Sequence, residues 1–432
     1  MTDFVWGVAT SAYQIEGAVT AGGRGRSTWD TFSATPGKTR SGETGAQACD
    51  HYHRYPEDVE LMRELGVDSY RFSVAWPRIQ PDGRTLNRAG LGFYDRLIDT
   101  LCAAGIAPMV TLYHWDTPQA VEDEGGWLNR DTAACFADYA AVLAEAFADR
   151  VAMWVPLNEP AMITLLGYGL GQHAPGQALL FDALPTAHHQ LLAHGLAVRA
   201  LRAGGAGLIG TANNHTPVWA ADDRPETLAA AAAYDALHNR LFADPILLGK
   251  SPEHLPGFEI PAEDLRIISE PIDFYGVNYY NPTRIGAPAE GSPLPFELGE
   301  IAEHPATLMN SPIVPDGLRE LLVQLRENYG ATLPPVYITE NGASFAEDLI
   351  DGRVHDQPRI DFLSAHLDAL RSAIGAGVDV RGYYVWSLLD NFEWAEGYGQ
   401  PFGLVHVDFA TQRRTPKDSF HWLREHIAKQ RG

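Results

Sequence analysis

Apolar, β-branched and aromatic runs recur along the chain at Phe4 to Ala12, Ser69 to Trp76, Ala107 to His114, Met153 to Asn158, Leu208 to Asn214, Ile272 to Tyr280, Pro335 to Glu340 and Gly382 to Leu388. Amphipathic, Ala/Leu-rich stretches separate them, and the alanine runs at 140–148 and 229–233 read as ordinary helix. This rhythm predicts repeated βα units with parallel strands. The strand runs are nearly continuous rather than alternating, because a parallel sheet is covered on both faces. The fold class predicted is α/β, a single (β/α)8 TIM barrel with extended βα loops, with residues 1–432 as one domain. The Pro-, Gly- and Glu-rich segment 281–315 falls between two predicted strands and is expected to be a loop over the pocket.

Unusual polar or aromatic residues gather toward the C-terminal ends of these runs: Gln14, Arg71, His114, Glu159, Asn213, Tyr280, Glu340, and Trp386 with Glu393. In a barrel of this kind those ends form one face, so residues far apart in sequence converge on one pocket. Two glutamates stand out, in Leu157-Asn158-Glu159-Pro160 and Ile338-Thr339-Glu340-Asn341-Gly342. Paired carboxyls so placed are the minimum apparatus for cleaving a glycosidic bond. One donates a proton to the leaving oxygen while the other, ionised, attacks or stabilises an oxocarbenium-like carbon.

Charge narrows the alternatives. With 32 Lys and Arg against 55 Asp and Glu, the net charge is −23, which argues against a nucleic-acid partner, since phosphate backbones are bound through clustered cations. No apolar stretch reaches membrane-spanning length, and no basic segment followed by an apolar region opens the chain, so neither a membrane partner nor export is expected. Cys49, Cys102 and Cys135 are odd in number and widely spaced, which fits a reducing cytoplasm better than a disulfide framework. The pairs His51/His53 and His188/His189 lack a third ligand at suitable spacing, so no metal and no cofactor is expected. Trp76 and Trp154 read as packing residues.

Longer motifs carry a resemblance. The opening Phe4-Val5-Trp6-Gly7-Val8-Ala9-Thr10-Ser11-Ala12-Tyr13-Gln14-Ile15-Glu16-Gly17 is followed by Tyr70-Arg71-Phe72-Ser73, Tyr113-His114-Trp115-Asp116, Asn158-Glu159-Pro160, Asn278-Tyr279-Tyr280, Thr339-Glu340-Asn341-Gly342 and the run from Trp386 to Trp394. In this order, nearly end to end, they resemble the β-glucosidases of glycoside hydrolase family 1. The resemblance implies a retaining enzyme of carbohydrate metabolism and cellulose degradation. It makes Glu340 the nucleophile, Glu159 the acid and base, Arg71 and Tyr280 the neighbours of Glu340, and Asn158 the partner of the sugar 2-hydroxyl. Gln14, His114, Asn278, Trp386, Glu393 and Trp394 complete the implied sugar site. The implied ligands are small β-glycosides and short β-linked oligosaccharides, with oligomeric state and glycone preference left open.

Two positions depart from the family pattern. Pro156 stands where many relatives have threonine, and a proline there removes a backbone donor beside the acid. Asn310-Ser311-Pro312 stands where Gly-Trp-Glu is common, so an aromatic wall of the leaving-group subsite is expected to be missing. Two other readings accompany the resemblance: a 6-phospho-β-glycosidase, disfavoured by Glu393 facing the phosphate with no nearby Lys, and a catalytically inactive sugar-binding relative.

Overall fold

The computed structural model describes residues 4–255 and 257–431. Eight strand positions follow one another around a closed sheet: β1 Val5–Ala9, β2 Ser69–Ser73, β3 Ala107–Tyr113, β4 Met153–Leu157, β5 in two pieces Leu208–Ile209 and Asn213–Asn214, β6 Tyr275–Asn278, β7 Val336–Asn341 and β8 Val380–Trp386. Every neighbouring pair is parallel, and β1 pairs both with β2 and with β8. The first piece of β5 pairs with β4 and the second with β6. The two ends of the hydrogen-bonded order are thus halves of one interrupted strand, and the sheet closes into a barrel.

Each strand position is followed by a helix, the principal ones being His51–Leu65, Arg88–Ala103, Thr132–Phe147, Leu184–Ala203, Ala262–Ile268, Pro315–Tyr329, Gln357–Gly375 and Asp418–Arg431. Arg88–Ala103 shows why they pack as they do: Phe93, Tyr94, Leu97, Ile98 and Leu101 recur at helical spacing and are all buried. A second apolar layer fills the barrel itself, where Met109, Val155, Ala212, Phe274 and Tyr384 meet.

All eight expected strand runs are observed, with shifted ends. Ala12 belongs to a helical turn, Ala12–Ile15, and Trp76 to another, Trp76–Ile79. Segment 281–315 is more ordered than a loop. Thr283–Gly286 pairs with Glu297–Gly299 and, across a different loop, with Val218–Ala220 to make a three-stranded side sheet. Its composition hid this because the pairing partner lies far away in sequence, and buried Ile285 anchors the central strand.

Pro156 leaves the β3/β4 register unchanged, with Thr111 opposite Val155 and Tyr113 opposite Leu157. On its other side β4 pairs with β5 only at Met153 and Trp154, and contact resumes at the Asn158–Ala212 bridge. The missing donor therefore falls in the gap of the broken strand, where it leaves no orphaned ladder.

Candidate active site

Strand ends set the site. Glu340 is the penultimate residue of β7, and the register of β7 slips between Ile338 and Glu340 against β6. Such an irregularity re-aims a side chain at a strand end. Gly342 fixes the same end from behind: a Cβ there would lie 1.7 Å from the Trp386 carbonyl oxygen, so only glycine lets the ends of β7 and β8 approach this closely. Glu159 lies just past β4 with φ at +43°, a left-handed conformation that is costly for a non-glycine residue. Its amide is held by the Ala212 carbonyl at 2.8 Å.

Around Glu340 both carboxylate oxygens are occupied. Arg71 Nη1 donates to Oε1 at 2.6 Å and Tyr280 donates its phenolic proton to Oε2 at 2.7 Å. The other guanidinium arm reaches Asn158 Oδ1 at 2.6 Å. Arg71 is fully buried, so this pair is little screened by solvent. Tyr280 is pushed well above the ordinary phenol pKa by burial and by the charge of Glu340, which keeps its proton available for donation.

Glu159 has a different setting. Among the described residues its one side-chain donor is Asn278 Nδ2 at 2.7 Å. Burial, with the charge of Glu340 adding to it, raises its pKa from 4.5 to about 8. Asn278 also donates to Asn158 Oδ1 at 3.1 Å, and its own oxygen accepts from Thr339 Oγ1 at 2.6 Å. Asn158 Nδ2 meets His114 Nε2 at 3.0 Å, and burial with nearby Arg71 holds the His114 pKa well below its ordinary value. A carboxyl that keeps its proton near neutrality beside a doubly hydrogen-bonded carboxylate is the pair that two-step glycosyl transfer requires.

The sugar-side candidates form a second cluster. Gln14 Nε2 donates to Glu393 Oε2 at 3.2 Å, to Asn391 Oδ1 at 2.9 Å and to the Phe392 carbonyl at 3.1 Å. Burial and the Glu340 charge raise Glu393 to about 8, so it is mostly neutral at pH 7. Trp386 stacks on His114 at 5.8 Å, and Trp394 lies against His114, Trp115, Trp29 and Tyr13. The functional and packing readings of these indoles coincide, since rings locked by neighbours present a rigid apolar wall.

A cleft of about 570 Å³ opens above this cluster, walled in part by Glu159, Glu393, Trp394 and Trp115. Trp115, absent from the sequence-derived site, has φ at +77° and donates its indole N–H to the Asn158 carbonyl at 2.9 Å. His173 is another wall; burial lowers its pKa to about 4. Its position after the turn Ile163–Gly169 offered no sequence signal. Lys38 also lines the cleft, where its Nζ donates to the Gly171 carbonyl at 3.4 Å. Asn213 does not join the network and instead donates to Tyr275 Oη at 2.9 Å. The histidine pairs are engaged elsewhere, His51 with Asp58 at 2.7 Å and His188 with Asp264 at 2.7 Å. Among the described residues no cluster of three or more metal-ligating side chains occurs, and no helix is long and apolar enough to cross a membrane.

A parallel eightfold barrel with two unlike carboxyls at the C-terminal ends of β4 and β7 defines a glycosidase. Comparison with known proteins gives the family. The chain matches the description of Glycosyl hydrolase family 1 over residues 1–432 and belongs to that family. It is 46% identical to beta-glucosidase A of Thermotoga maritima, over 99% of this chain and 97% of the relative. It is 49% identical to thermostable beta-glucosidase B of Thermobispora bispora, over 99% of this chain and 90% of the relative. The solved family 1 β-glucosidase from Thermotoga maritima superposes with a TM-score of 0.96 at 44% identity, covering 100% of this chain and 98% of that one.

Proposed function

We propose that this glycosyl hydrolase is a retaining β-glucosidase that removes terminal non-reducing β-D-glucosyl residues, with β-galactosyl and β-fucosyl glycosides as further candidate substrates. The observation that carries the reading is the contrast between the two glutamates. Glu340 accepts from Arg71 and Tyr280, whereas Glu159 is buried with one amide donor and retains its proton up to about pH 8.

Glu340 attacks the anomeric carbon as Glu159 protonates the departing oxygen, giving a glycosyl ester on Glu340. Ester formation removes the charge of Glu340, so Glu159 becomes a stronger acid, and its conjugate base then accepts a proton from the water that releases the sugar. Tyr280 is positioned to let go of Oε2 as that oxygen becomes part of the ester. Asn158, held by Arg71 and His114, addresses the 2-hydroxyl, while Gln14 and Glu393 bracket the distal hydroxyls and Trp386 and Trp394 supply the apolar face. Retention through this route requires carboxyls about 5 to 5.5 Å apart.

The reading extends to the whole chain, residues 1–432, acting as one catalytic unit on small β-glycosides and short β-linked oligosaccharides such as those released in cellulose degradation. The free cysteines Cys49, Cys102 and Cys135 support a reducing cytoplasmic setting. Hydrolysis of 4-nitrophenyl β-D-glucoside, with the first-formed sugar identified by NMR as the β anomer, tests it. Release of the α anomer, or no release, would refute the reading.

A further inference from the structure

Among the described residues, 387–393 form no helix or strand, and a single bridge, Leu389 to Val405, ties this sugar-side loop to the hairpin that begins at Val405. Backbone pairing therefore does little to fix it. Its order comes from Asp390, whose buried Oδ1 accepts from the Gly403 amide at 2.9 Å and from Lys417 Nζ at 2.8 Å, with His406 Nδ1 3.3 Å from Oδ2. The Asp390 amide donates to the Val405 carbonyl at 2.9 Å, and Cys49 Sγ donates to the Asp390 carbonyl at 3.0 Å. Every polar group of this residue is engaged.

Lys417 lies between the strand Arg413–Pro416 and the helix Asp418–Arg431 and is fully buried, whereas Lys38, Lys250 and Lys429 are not. A buried ammonium is tolerated only when it is paired. Here it is shared between Asp390 and Glu347, and Glu347 pairs in turn with Arg359. Arg359 donates to the Phe402 carbonyl at 3.1 Å, the Pro401 carbonyl at 2.9 Å and Asp356 at 2.9 Å, while Asp356 accepts from the Ser419 amide at 2.8 Å. Two buried cations thus clamp the loops after β7 and β8 to the C-terminal helix. The clamp reaches the sugar side through Asn391, next to Asp390: its Oδ1 accepts from Gln14 Nε2 at 2.9 Å, and the same nitrogen reaches Glu393 at 3.2 Å. Any shift of the loop moves Gln14 and Glu393 together. Asn158 is held independently, by Arg71 and His114.

We propose that Lys417 is a positioning residue for sugar selectivity, which acts through Asp390 to hold the loop so that Gln14 and Glu393 meet the distal hydroxyls of the glycone. This rests on the β-glucosidase reading and adds to it a determinant that lies outside the walls of the cleft. Without the ammonium, the Asp390 carboxylate is left buried and short of a charged partner, and the loop relaxes to rehydrate it. Hydrogen bonds to the distal hydroxyls then lengthen, while those to the 2-hydroxyl do not.

The test compares kcat/KM for 4-nitrophenyl β-D-glucoside with that for its 4-deoxy and 2-deoxy analogues in wild type, Lys417→Met and Asp390→Asn. Each ratio is taken within one protein, so that a change in folded fraction cancels. The ratio of glucoside to 4-deoxyglucoside should fall about tenfold in Lys417→Met, and by less in Asp390→Asn, mostly through KM. The ratio of glucoside to 2-deoxyglucoside should stay within about twofold of wild type, because Asn158 has its own supports. An unchanged 4-deoxy ratio in either variant overturns the proposal. Equal falls in both ratios also overturn it, since a general disturbance of the barrel would act on both hydroxyls alike. Should Lys417→Met fail to fold, Asp390→Asn, which keeps the shape of the side chain, decides by the same criteria. If the wild type cleaves none of the three glycosides, the β-glucosidase reading fails instead, and calorimetry takes over from kinetics. Tighter binding of D-glucose than of 4-deoxy-D-glucose in wild type, lost in the variants, would then support the role of Lys417, and equal or absent binding would refute it.

Discussion

Tyr280 donates its phenolic proton to Oε2 of Glu340 at 2.7 Å, the oxygen that Arg71 leaves free. A hydrogen bond to a charged acceptor contributes about 1.5–3 kcal/mol. Tyr280→Phe should therefore lower kcat/KM by about ten- to a hundredfold, with the larger share in kcat. Steady-state kinetics on an aryl β-glucoside checks this, and an unchanged kcat would remove Tyr280 from the reaction coordinate.

Replacing each glutamate separates their roles. Glu340→Ala should abolish turnover and be partly rescued by azide, which enters the vacated space and yields the opposite anomer of glycosyl azide. Glu159→Ala should impair alkyl glucosides far more than 2,4-dinitrophenyl glucoside, because an activated phenolate needs little protonation to depart. Equal losses on all leaving groups, with no azide response in either variant, would reverse or dissolve the assignment.

The pH profile follows from Glu159. Its pKa is raised to about 8, so the acid is present below that value and activity should decline as pH climbs through it. Trapping Glu340 as a 2-deoxy-2-fluoroglycosyl ester deletes the neighbouring charge and should move the Glu159 titration downward, visible by carbon NMR of a labelled carboxyl. Folding stability carries the same sign. The favourable contributions of neutral buried Glu159 and Glu393 are complete below about 4.5 and are lost as pH rises toward about 8. Glu393→Gln should accordingly show a smaller drop in Tm between pH 5 and pH 9 than the wild type.

Much of this was legible in the sequence for a specific reason. Parallel barrel strands are buried on both faces, so runs such as Ala107–Tyr113 declare themselves by continuous hydrophobicity. Arg71, Asn158, Glu159, Asn278 and Glu340 sit within or just beyond such strands, and their convergence is a property of the fold. The cleft walls Lys38, His173 and Met309 come from loops. Which loop residue reaches the opening depends on distant pairings, such as the Ala306–Pro312 bridge that shapes the turn carrying Met309. The protonation of Glu393 was equally hidden, because it depends on burial and on a charge from another strand.

That turn bears on leaving-group selectivity. With Asn310-Ser311-Pro312 in place of an indole and the pliable thioether of Met309 at the cleft, the subsite should lose about 1 kcal/mol of aromatic contact, roughly fivefold in affinity. Broad aglycone tolerance and weak retention of glucose follow. Ser311→Trp should lower KM for aryl glucosides and disaccharides, and an unaltered KM would count against this account.

Phosphorylated sugars offer a last discrimination. Neutral Glu393 repels a 6-phosphate less than an ionised carboxylate would, and Lys38 stands in the same cleft, so preference for the free sugar should be modest at pH 6, about tenfold. Above pH 8 the carboxylate forms, and two charge pairs at about 1 kcal/mol each in water add at least another tenfold. Comparing kcat/KM for an aryl β-glucoside and its 6-phosphate at pH 6 and pH 9 reads both numbers. A ratio that favours the phosphate, or one that shrinks with rising pH, would sink the argument.

Asn278 is fixed by Thr339, the residue immediately before Glu340, and in turn grips Glu159. One strand therefore carries Glu340 and, through a single asparagine on the strand beside it, helps to orient the Glu159 side chain. Loops can lengthen, shorten or change their chemistry without disturbing the spacing on which the reaction depends. A lineage built on this arrangement is free to explore new leaving groups by insertion and drift at the rim, while its stereochemical outcome stays inherited from the barrel.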